Sequence, residues 1–195
     1  MKTIHLASTN KGKLATMRKH LEGMDIEVVA VDLPIIEPQA PKVEGVARSK
    51  ARQAFALLGK PLVIEDSGFS IDALAGFPGP YAKFVNETIG VEGLIRLMEG
   101  VKNRACHFTG VLVYVSETGE EHVFTHEERG TLAPAVDETP AEHSWSRLWN
   151  VFIPEGTDAT INVLKSRKDS TAFDKLHSNS DFCKFAKWLK TAEAQ

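Results

Sequence analysis

The chain has little of three features that would each place it in a special class of proteins. Its 195 residues include only two cysteines, Cys106 and Cys183, which are too few and too far apart for a disulfide scaffold, so we expect reduced, buried thiols. No apolar run approaches the roughly 20 residues of a membrane-spanning helix, and MKTIHLASTN turns polar too early for a signal peptide. A net charge of -3 gives no overall attraction for a nucleic-acid polymer. These absences predict a cytoplasmic protein without a membrane or nucleic-acid partner.

The composition and the periodicity of the chain predict a folded α/β protein. With 43% hydrophobic and 25% charged residues, the chain has the composition of a globular protein, and we expect a single domain over residues 1–195. The first third alternates strands and helices, which is typical of a mostly parallel sheet. The elements predicted in this part are Thr3–Ala7, Lys11–Glu22, Ile26–Val31, Glu44–Leu58 and Pro61–Ile64.

The remainder of the chain changes its pattern. Two short helices are followed by the two long strands of an antiparallel hairpin, and an amphipathic helix comes last. These elements are predicted at Tyr81–Thr88, Val91–Met98, Ala105–Val115, His122–Leu132 and Asp181–Ala192. We therefore expect an elongated mixed β-sheet flanked by helices, with two lobes around a central cleft.

The turn between the first strand and the first helix has the composition of a phosphate-binding loop. It offers backbone N–H groups and the positive end of a helix dipole, together with side-chain donors and a lysine one turn into the helix. Such a turn suits a triphosphate, although an ordinary helix cap with solvated lysines has the same composition. The residues of this candidate phosphate loop are Ser8, Thr9, Asn10, Lys11, Gly12 and Lys13.

Three acidic residues are predicted to come together at one edge of the sheet. Glu37 lies in the loop after the second strand, and Glu65 and Asp66 directly follow the third. The corresponding loops of a βαβαβ sheet emerge at the same edge, and converging carboxylates repel one another unless a cation lies among them. Mg²⁺, which binds a few oxygen ligands together with phosphate, is the expected metal. Lys50 and Lys83 add positive charges of the kind that reach a phosphate.

Several stretches of the chain, taken in order, resemble the inosine triphosphate pyrophosphatase (Ham1) family. They are LASTNKGKL, VARSKARQA, VIEDSGFSIDALAGFPGPYAKFV, GVEGLIRLMEG and RACHFTGVLVYV. Members of this family are elongated α/β proteins with a central cleft, usually homodimers. They hydrolyse a nucleoside triphosphate to the monophosphate and pyrophosphate with Mg²⁺. The resemblance implies the same reaction here, on non-standard purine nucleotides such as ITP, dITP and XTP.

The resemblance also implies a role for each candidate residue. Asp66, with Ser67 beside it, would be both a metal ligand and the general base, and Lys13 would offset charge on the phosphates. The other implied roles are metal binding by Glu37, with Glu65 as a further candidate, triphosphate binding by Ser8 to Lys13, and phosphate contacts by Lys50 and Lys83.

The part of the chain that should recognise the base departs from the family pattern. The family's Phe-Gly-aromatic-Asp-Pro motif falls near residues 145–152, where this chain has Trp149 and Asn150 in place of the aromatic–Asp pair. The Ser-His-Arg that should lead into the last helix is absent. Trp145 or Trp149 could stack on a base, and Arg147 or Asn150 could read its edge. Each tryptophan could equally belong to the core or to a dimer interface.

These departures leave three functions open. The first is the family reaction on a deaminated purine, and the second is the same chemistry on another base, in a modified or ordinary dNTP. The third is a non-catalytic nucleotide-binding or oligomerisation module, against which the retained charged residues argue, because an inactive site has no physical need for them.

Three further residues complete the sequence predictions. Thr16 stands where the family has a glutamate, and His143 and His177 are predicted to be surface residues.

Overall fold

The computed structural model describes residues 2–140, 146–167, 171, 176 and 178–192. They form a mixed β-sheet flanked by helices, so the predicted fold class is confirmed. The strands are β1 (Lys2–Ala7), β2 (Ile26–Val31), β3 (Leu62–Ile71), β4 (Pro78–Gly79), β5 (Ala105–Val115), β6 (Glu121–Leu132) and β7 (Phe152–Pro154). The α-helices are α1 (Lys11–His20), α2 (Val43–Leu58), α3 (Ala82–Thr88), α4 (Gly90–Leu97), α5 (Ile161–Ser166) and α6 (Asp181–Ala192). No helix within these ranges is long and apolar enough to cross a lipid bilayer.

The sheet has the strand order β2-β1-β3-β5-β6-β7, and β4 pairs with β3. β1 runs parallel to both β2 and β3, because the crossovers between these strands contain α1 and α2. β5 and β6 are neighbours joined by a tight turn in which the Ser116 N–H donates to the Glu120 carbonyl. A connection this short requires antiparallel strands. The predicted hairpin is therefore present.

β3 is the element whose predicted end differs most from the observed end. The sequence predicts a strand that stops at Ile64, whereas β3 continues to Ile71. Charged residues are rare in strands, so the acidic pair at Glu65 and Asp66 looked like the start of a loop. The strand continues because Phe69 and Ile71 further along it are fully buried. The two acids therefore lie within a strand, whose backbone holds them in place.

The chain divides into two compact units. The first consists of Met1–Asp66, Gly110–His126 and Asn179–Gln195, and the second of Ser67–Thr109 and Glu127–Ser178. β3, β5 and β6 each contribute residues to both units. The single domain and the central cleft stay predictions.

The core of the first unit forms where α2 packs on the sheet. Ala47, Ala51 and Ala54 of α2 are fully buried and pack with Leu62 and Ile64 of β3. Alanine side chains allow the helix backbone to lie close to the strands, which fixes the position of every other residue on α2. The helix ends at Gly59, whose φ of 62° lies in the left-handed region that glycine adopts most easily.

The core of the second unit contains a group of phenylalanine rings. The Phe69 ring lies 4.8 Å from that of Phe108 and 6.0 Å from that of Phe152, centroid to centroid. Trp149 and Val151 belong to the same buried cluster. The segment that carries the divergent base motif is thus anchored in the core of this unit. Neither Cys106 of this unit nor Cys183 of the first is part of a disulfide bond.

Candidate active site

The candidate phosphate loop leads from β1 into α1, with Asn10 as the cap of the helix. Its Oδ1 accepts hydrogen bonds from the backbone N–H groups of Gly12, at 2.8 Å, and Lys13, at 3.2 Å. The Asn10 N–H in turn donates to Ser8 Oγ at 3.1 Å. These contacts satisfy three of the N–H groups that the sequence assigned to a phosphate. Thr9 and Lys11 are exposed.

Lys13 extends from α1 to Glu65 of β3. Its Nζ lies 2.9 Å from Glu65 Oε2 and donates to the Glu65 carbonyl, also at 2.9 Å. Oε2 accepts no aligned hydrogen bond from any described residue, so its contact with Lys13 is an ion pair. Burial favours the neutral form of Lys13, but the negative charges of Glu65, Asp66 and Asp181 outweigh it and raise the pKa of Lys13. Lys13 therefore stays positively charged at neutral pH.

Asp181, the first residue of α6, is a second buried acid near this ion pair. Only 5% of Asp181 and 7% of Glu65 is exposed. Within the part of the chain that the structure describes, Asp181 Oδ2 has no hydrogen-bond partner. It packs against Gly110, where a Cβ would lie 2.9 Å from it. Burial, followed by the charge of Glu65, raises the pKa of Asp181 to about 7, although Lys13 opposes the shift. The first unit therefore holds a buried carboxyl group that titrates close to neutral pH.

The second cluster joins three separate parts of the first unit around one ammonium group. Lys50 Nζ, on α2, donates to Glu37 Oε2 and to Asp66 Oδ2, each at 3.0 Å. We call this arrangement the Lys50 bridge. Burial lowers the pKa of Lys50, but the charge of Asp66 and the hydrogen bond to Glu37 outweigh it, so the net shift is upward. One positive charge thus lies between two carboxylates.

The two acids of the Lys50 bridge fit a hard metal ion. Both carboxylate oxygens lie 3.0 Å from the same nitrogen, so the two acids already share one cation, the ammonium group of Lys50. No group of three or more His, Cys, Asp and Glu side chains placed to hold a metal occurs within the described ranges. Mg²⁺ needs no such group, since proteins often bind it through one or two carboxylates, with water and substrate phosphate as the other ligands.

Glu65 does not belong to this pair of acids. The sequence grouped it with Glu37 and Asp66 as a metal ligand, whereas the structure pairs it with Lys13. Neighbouring residues of a strand point to opposite faces of the sheet, so Glu65 and Asp66 face different surroundings. Glu37 and Asp66 are therefore the two candidate ligands that share one positive charge, and metal binding by Glu65 stays a prediction.

Ser67 and Lys83 belong to the second unit. Ser67 lies on β3 and is exposed. Lys83, at the start of α3, has a side chain that is 82% exposed, and its Nζ lies 3.9 Å from Glu87 one turn along the helix. Their roles at a phosphate stay predictions.

The predicted base-binding residues have structural partners. Trp149 is only 7% exposed and lies within the buried cluster of the second unit, with Lys165 Nζ 5.1 Å above its ring. Asn150 donates through Nδ2 to the Asp137 carbonyl at 2.6 Å, and Arg147 pairs with Glu92 at 2.7 Å. The structure favours the alternative that Trp149 is a core residue. Trp145, His143 and His177 lie outside the described residues.

Sequence reasoning missed two features of the site. It placed Lys50 on the phosphates and did not predict that its ammonium group lies between two of the candidate metal ligands. It also gave no role to Asp181. An acid in the first turn of a helix is usually exposed to solvent and interacts favourably with the positive end of the helix dipole. The signal that could have indicated burial is the apolar face of α6, where Phe182, Phe185 and Leu189 are buried beside it.

The fold and these two clusters define a class of α/β protein whose candidate anion-binding and metal-binding residues lie on α1, α2, β3 and the loops that follow β1 and β2. The chain belongs to the Ham1 family, whose model matches residues 4–173. It is 38% identical over 184 residues to a dITP/XTP pyrophosphatase of Methanopyrus kandleri, covering 94% of each chain. It is 32% identical to a dITP/XTP pyrophosphatase of Hyperthermus butylicus, covering 97% of this chain and 95% of the relative. A solved Ham1 protein from Coxiella burnetii has the same fold, with a TM-score of 0.80 at 21% identity over 100% of this chain and 99% of the other.

Proposed function

We propose that this chain hydrolyses nucleoside triphosphates with non-standard purine bases, such as ITP, dITP and XTP, to the monophosphate and pyrophosphate. Membership of the Ham1 family and the similarity to relatives named dITP/XTP pyrophosphatase support the reaction and the substrate class. The observation that carries the proposal is the Lys50 bridge. In this cluster a buried strand, a packed helix and a loop bring two carboxylates and an ammonium group together.

The reaction is attack of water on the α-phosphorus. The water oxygen forms a bond to that phosphorus, the bond from phosphorus to the α–β bridging oxygen breaks, and pyrophosphate leaves. We assign the general base to Asp66, whose carboxylate orients the water and accepts its proton. The rigid backbone of β3 suits this task because the carboxylate must be held in one position.

Positive charges offset the negative charge of the phosphates, which is usually the largest contribution to phosphoryl transfer. Lys50 and Lys13 both stay charged at neutral pH, because neighbouring carboxylates raise their pKa values. Glu37 and Asp66 would hold Mg²⁺, which when bound neutralises phosphate charge and orients the polyphosphate. The Ser8–Lys13 loop binds the triphosphate through its polar groups that do not hydrogen-bond to Asn10.

A pyrophosphate-release screen tests the proposal. The purified chain is assayed with Mg²⁺ against ITP, dITP, XTP, dUTP and the common dNTPs. We expect turnover that is selective for ITP, dITP and XTP. Selective turnover of another nucleotide would show altered base specificity, and no turnover of any nucleotide would favour a non-catalytic module.

Two variants test the residue assignment in the same assay. Asp66→Asn keeps the size of the side chain but cannot accept the proton, and we expect a loss of at least about 10²-fold in kcat. Asp158→Asn is the matched control, since Asp158 is an exposed acid that pairs with Arg167. Its activity should equal that of the unmodified chain. Equal turnover by Asp66→Asn would contradict the assignment.

We also infer a homodimer and a cytoplasmic location from the family resemblance. Light scattering after size exclusion tests the first, because a dimer has twice the 21.4 kDa mass of the chain. Fractionation of the source cells tests the second.

A further inference from the structure

The Lys50 bridge places an ammonium group where the two proposed metal ligands converge. Lys50 Nζ donates to both Glu37 and Asp66 at the same distance, 3.0 Å. The Lys50 and Asp66 side chains are only 19% and 17% exposed, whereas that of Glu37 is 57% exposed. Two of the three groups are thus shielded from water, which strengthens their attraction.

The ammonium group and a divalent cation cannot both occupy the position between these two oxygens. A magnesium ion shared by the carboxylates lies about 2.0–2.1 Å from each ligand oxygen, inside the 3.0 Å contacts that Lys50 makes. A lysine left in place would then be a like charge within a few ångströms of the metal, which is strongly repulsive in a partly buried setting. Lys50 must therefore move away when a metal enters.

A polyphosphate would give Lys50 a new partner to move to. Without an anion, a displaced ammonium group loses two charged hydrogen bonds and remains next to a divalent cation. With a polyphosphate, the same ammonium group gains phosphate oxygens, and the metal gains them as ligands. The metal and the anion then favour each other's binding.

We propose that Lys50 occupies the metal position of the ligand-free enzyme, so that a free divalent cation binds weakly and the metal and the polyphosphate bind together. The proposal rests on the proposed function for the identity of the anion. The coupling is reciprocal, as thermodynamic linkage requires, so the metal also tightens binding of the anion. One consequence is that the enzyme retains little metal between turnovers.

Binding of Mn²⁺ alone to the full ligand-free chain tests the proposal without any turnover. The EPR signal of free Mn²⁺ reports the unbound ion, and Mg²⁺ competition shows that both ions share the site. Lys50→Met removes the competing charge, and we expect it to bind Mn²⁺ at least about tenfold more tightly than the unmodified chain, a difference of about 1.4 kcal/mol. Circular dichroism shows that the variant is folded, and Lys50→Gln provides a second, polar replacement.

Arg52→Met is the matched control for net charge. Arg52 lies on the same helix and pairs with Glu121 instead of the two proposed ligands. We expect its Mn²⁺ affinity to stay within about twofold of the unmodified chain, because its charge is offset by an acid outside the site. An equal gain in Arg52→Met, or no gain in both Lys50 variants, would overturn the proposal.

Thermal unfolding with Mg²⁺ alone, pyrophosphate alone and both together tests the coupling. The unmodified chain should be stabilised far more by both ligands than by the two separately, whereas Lys50→Met should respond to Mg²⁺ alone. Additive shifts in the unmodified chain would overturn the coupling. A chain that releases no pyrophosphate from any nucleotide, yet shows the tighter Mn²⁺ binding of Lys50→Met, would contradict the proposed function and leave this inference standing.

Discussion

The replacement Asp181→Asn should stabilise the protein, and by an amount that grows with pH. Asp181 is 5% exposed, and its Oδ2 has no hydrogen-bond partner among the described residues. Neighbouring groups shift the pKa of this carboxyl group in both directions. Glu65 raises its pKa, whereas the Phe182 N–H, His126 and Lys13 lower it, and burial is the largest influence. The net result is a pKa of about 7 in place of the ordinary 3.8.

The sign of the effect follows from proton linkage. Between about pH 4 and about pH 7 the folded chain keeps a proton on Asp181 that the unfolded chain has lost, so stability falls as the pH rises through this range. The total shift is worth on the order of 4 kcal/mol, at about 1.4 kcal/mol per pKa unit. About 3 kcal/mol of it falls between about pH 5 and about pH 8. An asparagine has no proton to lose and removes this cost.

Thermal unfolding followed by far-UV circular dichroism measures the difference. For a chain of this size, about 1 kcal/mol shifts the Tm by about 2–4 °C. The Tm advantage of Asp181→Asn should therefore grow by roughly 5–10 °C between about pH 5 and about pH 8. The control is Asp158→Asn, because a hydrogen bond from exposed Arg167 lowers the pKa of Asp158 and any pH effect has the opposite sign. A Tm difference for Asp181→Asn that is constant, or larger at the acid end, would show that Asp181 does not keep its proton in the folded chain.

Further replacements separate core roles from roles at the site. Trp149→Ala should cost about 3–5 kcal/mol of stability, seen as a lower Tm, because it empties a core position; a raised KM with an unchanged Tm would instead indicate base stacking. Lys13→Met should cost about 3 kcal/mol, because it leaves buried Glu65 without its positive partner, whereas exposed Lys83→Met should leave the Tm nearly unchanged. Asn10→Ala should cost about 1 kcal/mol by removing the helix cap. EDTA should abolish pyrophosphate release and excess Mg²⁺ should restore it, so full activity in EDTA would contradict the metal assignment.

Hydrophobic periodicity was sufficient to predict most elements of the fold. β2, β5 and α6 have their predicted bounds, because each carries a regular apolar pattern with clear ends. β3 runs past its predicted end because tertiary burial of Phe69 and Ile71 outweighs the poor strand propensity of two acids. Such burial depends on the rest of the core, which local sequence patterns do not reveal.

The candidate site could be anticipated only in outline. Topology predicts that Glu37 and Asp66 approach each other, since it brings the ends of neighbouring parallel strands to one edge of the sheet. It does not indicate which way each acid points. Glu65 pairs with Lys13 because side chains alternate between the two faces of β3, and the predicted strand ended before Glu65. The position of Lys50 between two carboxylates depends on side-chain conformation, which no spacing rule provides.

A crystal structure with Mn²⁺ and a non-hydrolysable ITP analogue tests the central claim most directly. We expect an anomalous peak bound by Glu37 and Asp66, with ligand distances of about 2.1 Å. We also expect that Lys50 has moved from the two carboxylates to a phosphate oxygen. A metal ion bound elsewhere, or Lys50 still 3.0 Å from both acids as in the ligand-free chain, would contradict the claim.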